Sequence, residues 1–381
     1  LKHDHPGFFS RLLGHTFLIL NIGTIVWLGI CAFVPYTSPT EVRNIALFGL
    51  TIPFAILANV FFVVFWLFTR KKIRFLLSLL ALAACYKLLF TVFAFNFGKN
   101  DMARLPGRVK IMSWNAHGMG IFKKPHDKAF DKRILDFLAQ EDADIMSLPE
   151  YSCPKTDMMK PYAKQIIKAG NYKDFRFRYD NTLGTTIFLG TAVFCKYPFR
   201  NYVAYKLSAV TYLLQGDVEL PDGRMLRMFF LHLSSFGLSD QDKAYIEEVK
   251  KNNSSLQADK ARSRTFIWKF NHAYAMRAAE ADKAAGIIAQ SPYPVVICGD
   301  FNDLPASYTY TTIRGNLKDA FLEKGKGLGR TYNEISPTLR IDHMFYDPSI
   351  LKPVGFECNY TPLSDHNPLI VNFEILPKAG N

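Results

Sequence analysis

"PVVICGDFNDLPAS", residues 294–307, decides how the rest of the chain is read. Val295, Val296, Ile297 and Cys298 form a continuous apolar run, the pattern of a strand covered on both faces. Gly299 ends it, and Asp300, Asn302 and Asp303 follow within four positions. A buried strand gains little by ending on an acid and an amide, because polar groups out of water cost free energy unless paired. A site that holds water or phosphate needs that arrangement.

Other segments end in a similar way. "VKIMSWN" (109–115) is a strand closing on Asn115. "AFDKRILDFLAQEDADIMSLPE" (129–150) gives an amphipathic helix, a turn and a short strand ending at Glu150. "TAVFCKYP" (191–198) is a strand, and "TYLLQGDVEL" (211–220) and "RMLRMFFLHLSS" (224–235) form a hairpin about a "PDG" turn, the second strand carrying His232. Residues 239–290 are polar and helical, with 241–264 a solvated insertion or flap. "RIDHMFYD" and "PLIVNFEIL" are the last strands; Asp342 lies in the first, and Asp365 and His366 precede the second in "LSDHNPL". Short strands mixed with helices make an α+β or layered α/β architecture.

Each of these residues also has a structural reading. "GD" is a common turn, a histidine within a strand is usually a satisfied core residue, and "SWN" can be a cap. The set has a chemical reading that its members lack. A phosphate ester is anionic and repels nucleophiles. Its hydrolysis calls for a divalent cation on a phosphoryl oxygen, a carboxylate to place water, and donors to absorb developing charge. Glu150, Asn115 and Asp365 are the hard oxygen ligands Mg²⁺ accepts. Asp300 can hold the water, Asn302 and His232 can donate to phosphate, and Asp342 can orient His366.

The order "SWNAHG … LPE … HLSS … GDFND … RIDHMF … SDHNPL" resembles the endonuclease/exonuclease/phosphatase superfamily over residues 108–376. That group takes in pancreatic-type deoxyribonuclease, apurinic endonucleases, inositol polyphosphate 5-phosphatases and neutral sphingomyelinases. The resemblance implies a four-layered α/β/β/α sandwich with a Mg²⁺ site (Mn²⁺ as the alternative ion) at one rim. It implies Glu150 as principal metal ligand with Asn115 and Asp365 assisting, and Asp300 orienting the attacking water. Asn302 and His232 would contact phosphate, and Asp342 would pair with His366. Two positions depart from the pattern. Pro149 stands where the family commonly has Gln, and His117 stands where apurinic endonucleases carry an acid. His343 and Tyr151 read as supporting or packing neighbours.

The first hundred residues differ in kind. Residues 12–40 and 44–69 contain no Asp, Glu, Lys or Arg, and residues 75–97 contain only Lys87. Each run exceeds the roughly 18–20 apolar residues that cross a bilayer. The expected organisation is an anchor over 1–98 with spans at about 16–35, 44–69 and 75–97, a linker over 99–107, and a catalytic domain over 108–381. The cluster "TRKKIR" (69–74), with Lys2 and Arg11, puts the amino terminus in the cytoplasm by the positive-inside bias. The catalytic domain of this inner- or plasma-membrane protein then faces the periplasmic or extracellular side. Residues 1–98 hold 8 Lys and Arg and 2 Asp and Glu of the totals 46 and 33, which leaves the remainder at a net +7. That mild excess suits an anionic ester and falls short of a nucleic-acid-binding stripe. The six cysteines show no zinc spacing.

These observations support a membrane-tethered, Mg²⁺-dependent phosphoric ester hydrolase whose partners are the bilayer and a phosphate-ester substrate, lipid or nucleic acid. No protein partner is indicated. An outward-facing nuclease and a non-catalytic anion-binding membrane protein are the alternatives.

Overall fold

The computed structural model describes residues 8–122, 127–159, 161–251 and 260–378. Lys2, the Arg11 side chain and residues 252–259 of the expected insertion lie outside the described residues. The chain divides into two compact units, one built on the residues up to Val92 and one beginning at Phe93.

The first unit contains α1 (Phe8–Phe33), α2 (Ile52–Leu67), α3 (Phe75–Ala84) and α4 (Tyr86–Val92). Two stretches, Leu12–Tyr36 and Ile45–Leu67, are long and apolar enough to cross a membrane. The third expected span is helical but not straight. Its helix breaks at Cys85, which leaves helical geometry (φ −97°, ψ 20°), and the two pieces are bent by 65°. The 10 residues of α3 rise only about 15 Å, so this run crosses only if the bent pair acts together. Large apolar side chains such as Ile19, Leu57 and Leu80 are more than half exposed. Buried polar side chains stitch three helices together: Asn21 Nδ2 donates to Ser78 Oγ (2.6 Å) and Trp66 Nε1 donates to Asn21 Oδ1 (2.8 Å).

The second unit is a sandwich of two six-stranded sheets. Its elements are β1 (Ala94–Phe95), β2 (Arg108–Ser113), α5 (Lys128–Glu141), β3 (Ile145–Pro154), α6 (Ala163–Gly170), β4 (Asp174–Leu183), β5 (Ile187–Cys195), β6 (Phe199–Lys206), β7 (Tyr212–Glu219), β8 (Met225–His232), α7 (Asp240–Lys251), α8 (Lys260–Ile288), β9 (Val295–Asp300), α9 (Tyr308–Arg314), β10 (Lys318–Asp319), α10 (Ala320–Lys324), β11 (Lys326–Gly327), β12 (Asp342–Tyr346), β13 (Leu351–Glu357) and β14 (Leu369–Ile375). One sheet has the order β13-β14-β2-β3-β5-β4 and the other β10-β12-β9-β8-β7-β6. Strands β4, β6 and β13 were not foreseen.

Period-two alternation distributes the core among four layers. Val296 and Cys298 of β9 meet Val109, Ile111 and Val371 of the other sheet between the two sheets. Val295 and Ile297, pointing the opposite way, pack with Ala281 and Ala284 of α8. Met112 and Met146 on the outer face of the first sheet pack with Ile134 of α5 and Ile166 of α6.

Two further differences concern the expected linker and third span. β1, placed by sequence inside the third span, pairs with β11. Residues 99–107 are bonded to the sandwich: Asn100 Nδ2 donates to the Phe356 carbonyl (3.1 Å), Phe356 N donates back to Asn100 Oδ1 (2.7 Å), and Asp101 N donates to the Val354 carbonyl (3.0 Å).

Candidate active site

The two sheets meet along one edge, and the polar strand-end residues collect there. Strand β9 lies between β8 and β12, and Asp300 is flanked in register by His232 of parallel β8 and by Asp342 of antiparallel β12. Asp342 therefore begins its strand, where the sequence had suggested a strand terminus; antiparallel pairing brings it to the same edge. Gly299 is required for this packing. Its φ is 151°, and a Cβ there would run into the Leu231 backbone.

Glu150 requires a second correction. It does not close its strand, because β3 continues to Pro154. Register slips between Leu148 (opposite Ala192) and Tyr151 (opposite Gly190), so Pro149 and Glu150 together form a bulge. Pro149 has no N–H for the ladder, which a bulge tolerates, and its carbonyl accepts Ala116 N (3.1 Å). The bulge holds Glu150 at φ 55°. His117 (φ 44°) and Asn302 (φ 50°) share that left-handed conformation, each at a cost of order 1–3 kcal/mol.

Bonds connect the cluster across the sheets. Asn115 Nδ2 donates to Glu150 Oε1 (3.1 Å) and to Asp300 Oδ2 (3.0 Å), while Asn115 Oδ1 accepts His117 N (3.0 Å). Asp300 Oδ1 accepts Asn302 N (2.8 Å), and Asn302 Nδ2 donates to the Leu233 carbonyl (2.9 Å). His366 Nδ1 donates to Asp342 Oδ2 (2.8 Å), which leaves Nε2 3.7 Å from Asp300 Oδ2. His232 Nε2 lies 3.7 Å from Glu150 and 3.9 Å from Asp300. The "SWN" and "SDH" segments are tied by Trp114 Nε1 to the His366 carbonyl (2.9 Å) and Ser364 Oγ to the Asn115 carbonyl (2.7 Å). All eight residues singled out from sequence stand in this cluster.

Asp180 was missed. It lies in β4, 3.9 Å from His232 Nδ1, and "FRFRYD" carried the alternation and terminal acid that marked the others. His117 also belongs here, 3.3 Å from Asp365 and 3.8 Å from Glu150. Tyr151 and His343 are both buried.

Burial governs the protonation pattern. It raises the Asp300 carboxyl, and the neighbouring charge of Asp342 adds to the rise. It pushes the Asp180 carboxyl up to about 7 against the pull of His232 and Arg178. Burial disfavours a charged His366, but Asp342 and Asp300 override it and lift the imidazole to about 10. Burial likewise opposes charge on Glu150, yet His232, the Asn115 amide and His117 hold its carboxyl below the ordinary value.

Two groupings can be tested for fit to a metal. Ligand atoms of Asp300, Asp342 and His366 lie within 4.8 Å of one another, but His366 Nδ1 carries the proton it donates to Asp342 and has no lone pair to offer a metal. Glu150 and Asp365 both turn oxygens toward His117 Nδ1, with the Asn115 amide bonded to Glu150. That oxygen-rich set, in a cluster holding five carboxylates, fits a hard divalent cation such as Mg²⁺ or Mn²⁺.

One helix turn supports the loops behind the cluster. Glu280 of α8 accepts Ser234 N (3.0 Å) and Ser234 Oγ (2.6 Å). Arg277 donates to the Ser234 carbonyl (2.8 Å) and contacts Asp303 (3.4 Å), its guanidinium lying on the Phe236 ring.

A sequence model described as the endonuclease/exonuclease/phosphatase family matches residues 112–366. A second, for a domain of unknown function, matches residues 14–92. No curated protein gives a significant match. Among solved structures, the human Nocturnin catalytic domain with bound sulfate anion is 16% identical, with TM-score 0.50, covering 73% of this chain and 98% of that one. An endonuclease/exonuclease/phosphatase from Beutenbergia cavernae is 18% identical (TM-score 0.48; 70% and 72% covered). A protein of the same description from Bacteroides thetaiotaomicron is 17% identical (TM-score 0.47; 71% and 98% covered). At these identities the likeness concerns the fold.

Proposed function

The chain belongs to the endonuclease/exonuclease/phosphatase family of phosphoester hydrolases, and from that premise we propose that it is a membrane-tethered, Mg²⁺-dependent enzyme that hydrolyses a phosphate ester near a bilayer. The observation that carries the reading is Asp300, flanked in register by His232 and Asp342 and bonded to Asn115 and Asn302.

In this proposal Glu150 and Asp365, assisted by Asn115, would hold the ion, which when bound neutralises phosphoryl charge. Asp300, fixed by two amides, orients the attacking water. Asn302 keeps one side-chain N–H for a phosphoryl oxygen after bonding Leu233. His366, oriented by Asp342, presents Nε2–H to developing negative charge. His232 does the same from the opposite side, steadied by Asp180. The apolar helices α1 and α2 support tethering, and with the bent third run as a further crossing the charge bias favours a catalytic unit outside the cytoplasm.

The test uses full-length protein in detergent, assayed on phospholipid vesicles, plasmid DNA and inositol phosphates, with Mg²⁺, with EDTA, and as Asp300→Asn. EDTA-sensitive turnover that falls by about 10³-fold or more in Asp300→Asn is expected. DNA nicking as the dominant activity would replace the lipid reading with a nuclease. Folded protein inert on every substrate would remove the catalytic one.

A further inference from the structure

A cleft of about 400 Å³ lies between α7 and the loop 330–337, lined among others by Lys243, Glu247, Arg330, Asn333, Glu334 and Ser336. It adjoins the catalytic cluster through shared backbone. Asn333 N donates to the Asp365 carbonyl (2.7 Å), Asn333 Nδ2 donates to Asn367 Oδ1 (2.8 Å), and the Tyr332 ring lies 4.9 Å from that of His366. Burial opposes charge on Glu334, but the Lys243 ammonium and the Tyr332 hydroxyl hold its carboxyl below the ordinary value. The Asn333–Asp365 bond and the Tyr332–His366 ring contact put the cleft on the Asp365 side of the site.

Its chemistry is polar but balanced. Two cations face two carboxylates. Lys243 Nζ contacts Glu334 Oε2 at 2.7 Å, the Tyr332 hydroxyl donates to the same oxygen (2.9 Å), and Arg330 is directed at the Tyr332 and Asn333 carbonyls. A nucleic-acid strand, with one negative charge per nucleotide, calls for surplus cations along its path, and none accumulates here. Carboxylate, amide and hydroxyl groups above the apolar surfaces of Ala244, Ile335 and Pro337 instead suit vicinal hydroxyls on a small ring. The wall is also held in a costly shape. Ile335, a β-branched residue, has φ 62°, within a tight turn closed by Ser336 N donating to the Glu334 carbonyl (2.7 Å).

Building on the phosphoester-hydrolase reading above, we propose that this cleft seats the leaving group and selects phosphate esters of small polyhydroxylated alcohols, sugars or cyclitols, over nucleic-acid strands. In the step it serves, the oxygen of water bonds to phosphorus and the phosphorus–oxygen bond to the alcohol breaks. The departing oxygen takes up the proton that the attacking water gives up, so that a monoester yields phosphate and free polyol, and phosphatidylinositol yields phosphatidate and free polyol.

The experiment compares full-length enzyme in detergent on inositol 1-phosphate, hexose 6-phosphate, phosphatidylinositol vesicles, a single-stranded oligonucleotide, and the featureless esters p-nitrophenyl phosphate and bis(p-nitrophenyl) phosphate. Turnover of the aryl esters tests the hydrolase reading alone. The expected result is that kcat/KM for at least one polyol ester exceeds that for the oligonucleotide at least tenfold. The ratio of polyol-ester to aryl-ester kcat/KM should then fall about tenfold in Glu334→Gln and in Lys243→Met, with unchanged melting temperature. Preference for the vesicle over soluble esters would identify the polyol as a lipid headgroup. Aryl-ester turnover with preference for the oligonucleotide, or with a ratio unmoved in both variants, would overturn the assignment and leave the hydrolase reading intact. No aryl-ester turnover would count against the hydrolase reading itself.

Discussion

His343 is enclosed by the rings of Phe301, Tyr310 and Phe345, and its Nε2 donates to the Asp303 carbonyl (2.9 Å). Burial, with the positive charge of Arg340, pushes the imidazole down from 6.5 to about 4. Between those values the unfolded chain binds more protons than the folded one, so stability rises with pH across the window and is lost as pH falls through it. At 1.36 kcal/mol per unit, the full window is worth about 3 kcal/mol. Urea unfolding of wild type and His343→Gln between pH 4 and 7 checks this; the variant should lose less stability on acidification, and parallel curves would refute it. The histidine was visible in "RIDHMF", but nothing in one sequence says that its ring faces Phe301. The same holds for the left-handed backbone at Glu150 and His117. Gly and Asn announce that conformation, whereas an acid and a histidine give no sign of it. The donors and carboxylates were legible because phosphate chemistry restricts which side chains can serve.

At the scale of elements, α8 fixes the segment after His232 through one turn bearing Arg277 and Glu280. Glu280→Gln weakens two bonds to Ser234, so His232 and Asn302 are held less firmly. The expectation is a drop in kcat of roughly tenfold at little change in KM, with stability falling by about 1–3 kcal/mol. Steady-state kinetics beside a thermal melt separate these effects: a melt shift with unchanged kcat would make the clamp purely structural. Helix α8 itself was legible from its periodicity, yet its role was not, because Arg277 and Glu280 resemble any charged pair on a solvated face. Strands β4, β6 and β13 were missed for a related reason. They lie toward the ends of the sheets, where fewer apolar positions are needed; β6 has a single fully buried residue. Central β9, buried at all six positions, was the easiest element to find.

For the whole molecule, the proposed topology places everything after residue 98 on the non-cytoplasmic side. Protease added to sealed right-side-out vesicles should remove the catalytic unit, and inverted vesicles should protect it; the reverse pattern would invert the assignment. The apolar runs were plain in the sequence because lipid demands composition more than order. The 65° bend at Cys85 was not, as no Gly or Pro marks it. Long-range pairing was equally invisible, and it has a consequence for biosynthesis. β14 lies between β13 and β2, with Leu369 opposite Ser113. The first strand of that sheet leaves the ribosome with one edge unsatisfied until 256 further residues have been made, on the order of ten seconds or longer at translation rates. During that interval the nascent chain exposes a hydrogen-bonding edge flanked by apolar side chains. Holding that edge apart from neighbouring chains is then a task for the chaperones that meet the polypeptide as it emerges.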